Sequence, residues 1–187
     1  MKYLIFLLFT ATFFACVSNE PEEMASRSDK IEIRYDSTNR AGQALAGLLK
    51  GYLDIKRSFP GLQDTQQVHR LANQMMGWAD SLSRLSDSFP APLRDSVQML
   101  SIGISDEIKG FMAETDPKGI ALSFQLTGMQ LYDLLRIVRY NGSRVYLFHS
   151  IAGGDEANWL DVVRNASHPF LLHPMGQETA IDSLVFK

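Results

Sequence analysis

Three of the four histidines fall close together in the last quarter of the chain: His149, His168 and His173, with Met175 and Glu178 just beyond. Imidazole nitrogen suits copper and zinc, thioether sulfur suits Cu(I), and a carboxylate can complete a harder site. Metal binding needs neutral imidazoles, which are abundant at neutral pH. On this spacing His149, His168, His173, Met175 and Glu178 are the candidate ligands for copper or zinc. The competing reading is that these histidines are turn and surface residues, because no HxxxH pair lies on a helix to fix their geometry. His69 stands apart, beside the apolar seam of a helical segment, and reads as an exposed or partly packed residue.

Other chemistries lack their residues. The sequence contains no GxSxG, HExxH, GxxxxGK[ST] or GxGxxG. Asp106-Glu107 and Asp155-Glu156 are sequence neighbours on solvated faces, with nothing to make either an acid/base couple. One cysteine rules out a disulfide within the chain, an all-cysteine zinc site and CxxC redox chemistry. A formal charge of −3 with no basic run gives no electrostatic footprint for nucleic acid. No catalytic role is expected.

The 187 residues, 45% hydrophobic and 21% charged, suffice for one stable domain with a tail. The N-terminus carries the most specific signal. Lys2 precedes an apolar run from Tyr3 to Phe14, too short to span a bilayer as a mature helix but suited to the core of a secretory signal. Ala15-Cys16 follows at once, and then polar, acidic sequence. A small residue before the only cysteine, placed there, resembles a bacterial lipoprotein signal. The resemblance implies cleavage after residue 15, a lipidated Cys16 as mature N-terminus, and a chain anchored in the cell envelope on the periplasmic face or the cell surface. Residues 16–36, rich in Ser, Asn, Pro and Glu, read as a flexible tether.

From residue 37 onward, four segments show apolar residues three and four apart. The first follows Asp36-Ser37-Thr38-Asn39, any of which could cap, and carries Leu45, Leu48, Leu49, Tyr52 and Leu53 until Phe59-Pro60-Gly61 stops it. The second starts near Asp64 and places Val68, Leu71, Met75, Trp78, Leu82, Leu85 and Phe89 on one narrow seam. The third carries Val97, Leu100, Ile104, Ile108 and Phe111. The fourth opens with Asp116 as N-cap and Pro117 at the first helical position, and runs to Asn141-Gly142. Met75, Trp78 and Phe124 are read as core packing. Four such helices with short breaks predict an all-α fold, an antiparallel up-and-down four-helix bundle. From about residue 143 the pattern changes to a small C-terminal hairpin or extended cap: a β-prone stretch to Ile151, a turn at Gly153-Gly154-Asp155, and a short helix over 158–163.

Several of these residues together resemble a family of bacterial periplasmic and lipoprotein domains, the domain of unknown function numbered 3347, which often accompanies heavy-metal efflux components. The resemblance covers about residues 41–182. It rests on Tyr52-Leu53 with Lys56, the stretch Phe124 to Leu135, Val145-Tyr146, Trp159-Leu160, and Pro169-Phe170 with Met175. It implies a helical fold with a small C-terminal elaboration and soft-metal ligands in a Cys-Pro-Met triplet and a later Met with Cys three residues on. Here His149-Ser150-Ile151 stands at the triplet, and Met175 and Glu178 at the later pair, so only Met175 is retained. Two expectations follow. One is a non-enzymatic, membrane-anchored accessory or interaction module with an envelope or efflux-system protein as partner. The other is a periplasmic metal-binding accessory using His149 and Met175, with His173 and Glu178.

Overall fold

A computed structural model describes residues 35–36, 38–59, 65–152, 155–170 and 179–184. Four helices come first: α1 (Arg40–Ser58), α2 (Thr65–Arg84), α3 (Ala91–Ala113) and α4 (Pro117–Ile137). Three strands follow: β1 (Val145–Ala152), β2 (Asp155–Asp161) and β3 (Thr179–Leu184). The architecture is a helical bundle with a small antiparallel sheet, ordered β2-β1-β3. The all-α expectation is corrected by that sheet: residues 158–163, expected as a short helix, lie largely in β2, where pairing with β1 overrides a sequence poor in β-branched residues.

The helix boundaries follow local chemistry. Among the candidate caps before α1, Asn39 does the work, its Oδ1 accepting the Gly42 N–H at 2.7 Å. Asp116 caps α4 through Oδ2 and the Gly119 N–H at 3.1 Å, with Pro117 at the first helical position. After α2 a single tight turn at Ser86–Ser88 brings Phe89 into the core, where it stacks on Tyr35.

Successive helices pack side by side, and α2 is buried along Val68, Ala72, Met75, Ala79 and Leu82. That stripe is rotated from the expected seam. The small Ala72 and Ala79 let a neighbouring helix come close, and Leu71 moves to the flank. Trp78, expected in the core, is 42% exposed. Its indole lies over Gly47 of α1, where a Cβ would meet the ring at 2.5 Å, so it covers the α1–α2 groove instead of filling the centre. Met75 and Phe124 are buried as expected, and His69 is exposed.

The sheet has two different faces. Val145, Leu147, Leu160 and Leu184 continue the core of the bundle. Phe148, Ala157 and Trp159 form a second apolar cluster with Ala166, from the loop after β2. Phe148 and Trp159, cross-strand partners, stack with centroids 5.3 Å apart. Phe170 touches both clusters, edge-on to Phe59 and Phe124 of the bundle and to His168 in the loop.

Candidate functional site

Because β2 is an edge strand, its outward backbone N–H groups need partners from elsewhere. The helices supply them. The Leu160 N–H donates to Tyr52 Oη of α1 at 3.2 Å, and the Asn158 N–H donates to Gln125 Oε1 of α4 at 3.0 Å. Tyr52 reaches β2 only because Gly128 leaves room, since a Cβ there would stand 2.7 Å from the phenol oxygen. The ring is fully buried and stacks on Phe124 at 4.4 Å, and burial pushes the phenol's pKa up, so it stays neutral.

At the end of β2 the Lys56 ammonium donates to Asp161 Oδ2, both side chains being largely buried. The other oxygen of Asp161 accepts the N–H groups of Val162 and Val163 at 2.7 and 2.9 Å. The carboxylate is thus satisfied on both sides, and one ion pair fixes the end of α1 to the start of the loop that covers the sheet.

The candidate metal ligands are placed as follows. Cys16, His173, Met175 and Glu178 lie outside the described residues. His149 lies half-buried in β1, its Nδ1 3.1 Å from Oδ1 of Asn158, its cross-strand partner. With the proton on Nδ1, that contact orients the ring and leaves the Nε2 lone pair for a ligand. His168 is buried in the loop beneath Trp159, ring centroids 4.8 Å apart, and its Nδ1 accepts the Phe170 N–H at 3.2 Å. Burial, and then the positive charge of Lys56, hold its pKa below the ordinary histidine value.

Strand alternation puts His149 on the face opposite Phe148, whereas His168 packs against Trp159 on the Phe148 face. The sheet separates the two imidazoles, so they cannot share one ion. Among the described residues no group of three or more His, Cys, Asp or Glu side chains gathers to hold a metal. None of the described helices is long and apolar enough to cross a membrane.

Leu122, Leu126 and Met129 recur along one face of α4, and all three are exposed. Met99 and Ile102 are exposed on the adjacent α3. Their spacing could have marked a second apolar face on α4, opposite Phe124, Leu131 and Leu135, but a helix read as core on one side gives no reason to expect apolar residues on the other.

The fold and these sites define a helical bundle with an edge-capped sheet, His149 on one of its faces and the loop residue His168 packed against the other. No family model matches the chain, and the comparisons with curated proteins and with solved structures found no match.

Proposed function

We propose that this chain is a membrane-anchored lipoprotein of the cell envelope, a non-enzymatic accessory module built as an up-and-down bundle and presenting the outer face of α3 and α4 to a protein partner. The observation that carries the reading is the exposed row Leu122, Leu126 and Met129 on α4, with Met99 also exposed on the adjacent α3. Exposed large apolar residues concentrated on one helix pair mark a surface used for contact more often than scattered ones do. The lipid anchor rests on the sequence around Cys16, and the tether would carry the bundle clear of the membrane.

The test is site-specific photocrosslinking in cells, with the probe at Leu126 and, as control, at exposed Arg70 on the outer side of α2. The reading predicts a discrete protein adduct at position 126 that Leu122→Lys abolishes. Equal, diffuse labelling at both positions contradicts it.

A second reading, a copper- or zinc-binding accessory, is supported by one contact. Asn158 Oδ1 lies 3.1 Å from His149 Nδ1, the kind of contact that fixes the ring of a metal-ligating imidazole. Met175, His173 and Glu178 would supply the remaining donors. Calorimetric titration with Cu(I), Cu(II) and Zn(II) tests it. Stoichiometric binding weakened by both His149→Ala and Met175→Ala supports the reading, and no heat with any of the three ions contradicts it.

A further inference from the structure

On the face of the sheet turned away from the bundle, the loop after β2 and the edge strand β3 enclose an open groove of about 880 Å³. Its walls carry two arginines, Arg144 just before β1 and Arg164 in the loop, both exposed. Neither forms an ion pair with a carboxylate of a described residue, although Lys50, Lys56, Arg57, Arg94, Lys109 and Arg136 all do. Arg144 instead lies 3.5 Å from the Tyr146 hydroxyl, donating to it. With its oxygen taken in this way, Tyr146 keeps its own proton to give to a ligand. Ser167 and Ser183 line the same groove and add neutral donors.

Asp182 also lines the groove, but the register turns its carboxylate away. Asp182 pairs with Leu147, whose side chain packs into the bundle core, whereas Ser183 pairs with Tyr146 on the groove face. The carboxylate lies toward Tyr132 on α4, where its charge adds to burial in raising that phenol's pKa. The charged side chains directed at the groove from the described elements are therefore both guanidinium groups, on a chain whose net charge is negative. Two guanidiniums lining one groove with hydroxyl donors suit an oxyanion, because the planar fork can bind two oxygens at once.

We infer that this groove is a binding site for a phosphate-type oxyanion, with Arg144 and Arg164 as its charged groups and Tyr146 as a neutral donor on the same wall as Arg144. The inference is independent of the lipid anchor and of the α4 surface. Phosphate could reach the groove as the free ion or as the headgroup of an anionic lipid. The experiment separates the two.

The full chain is mixed in solution with nanodiscs of phosphatidylcholine, and the arginine Nε–H resonances are followed by NMR while inorganic phosphate is added. Saturable shifts of Arg144 and Arg164 that weaken at least tenfold in Arg164→Gln, with the backbone spectrum unchanged, support a free phosphate ligand. Shifts that instead arise without added phosphate, when phosphatidylglycerol replaces part of the phosphatidylcholine, support the headgroup. Arg144→Gln serves as an independent second variant and should weaken either response similarly. If neither signal moves in either series, or if both variants respond like the parent, the site does not exist.

Discussion

Tyr52 on α1 accepts a hydrogen bond from the backbone of Leu160 on β2, across 108 residues of sequence and past Gly128 on α4. Three elements meet at one phenol oxygen. The bundle thereby serves as the neighbour that the edge strand lacks, and the sheet is held in a fixed register against the helices.

Tyr52→Phe removes the acceptor while keeping the ring in its stack on Phe124. It leaves the Leu160 N–H buried and unpartnered, which costs about 1–3 kcal/mol. Urea denaturation should show that loss, and the Leu160 amide should exchange faster with solvent while amides in α3 are unaffected.

Gly128→Ala inserts a methyl group 2.7 Å from the Tyr52 oxygen, inside a packed core where neither ring nor helix has space to move. The expected destabilisation is about 1–3 kcal/mol. The two substitutions share a contact, so their effects should be non-additive in a double-mutant cycle. Strict additivity would show that Gly128 is not what admits the phenol.

Lys56 and Asp161 make a mostly buried pair, and removing either charge leaves the other uncompensated. Lys56→Met is expected to cost about 3 kcal/mol. Asp161→Ala should cost more, because the same carboxylate also accepts two backbone N–H groups at the start of the covering loop. Equal losses in thermal or urea unfolding would contradict that second role.

His168 predicts a pH dependence. Its imidazole is held neutral in the fold by burial and by Lys56, so its folded pKa lies below the unfolded value of 6.5. As pH falls through that unfolded value, the unfolded chain takes up a proton that the folded chain refuses. Stability therefore drops on acidification, and the loss ceases to grow below the folded pKa. His168→Asn keeps an oxygen able to accept the Phe170 N–H but cannot titrate. The stability difference between pH 7.5 and pH 5.5 should be smaller in His168→Asn than in the parent chain.

Much of the helical part was legible because each end has a local cause. Asn39 and the Asp116-Pro117 pair announce where α1 and α4 begin, and the apolar spacing gives their buried faces. β1 was legible for the same reason, its VYLFHSI being rich in β-branched and aromatic residues. β2 was not. Its DEANWLD has no local strand preference and is held by pairing with β1 and by the side chains of Tyr52 and Gln125, contacts that sequence spacing does not encode. Trp78 sat at a spacing that fits the core, but the buried stripe of α2 runs through Ala72 and Ala79 and leaves Trp78 at its edge, over Gly47.

The candidate site shows the same division. His149 and His168 were grouped because they are near in sequence, yet they lie on opposite faces of one sheet, a separation that depends on which residues pair. Arg144 and Arg164 carried no signal at all, because only the loop after β2 and the strand β3 bring their groove together. Tyr52, Lys56 and Leu160 meet at the junction of helices and sheet.

The central claim is that this module works from a lipid anchor on Cys16, and intact-mass spectrometry of the protein isolated from its native host's membrane fraction tests it directly. The account predicts a chain beginning at residue 16 and carrying the added mass of two or three acyl groups on that cysteine. A chain that begins elsewhere, or one that begins at an unmodified Cys16, would contradict it.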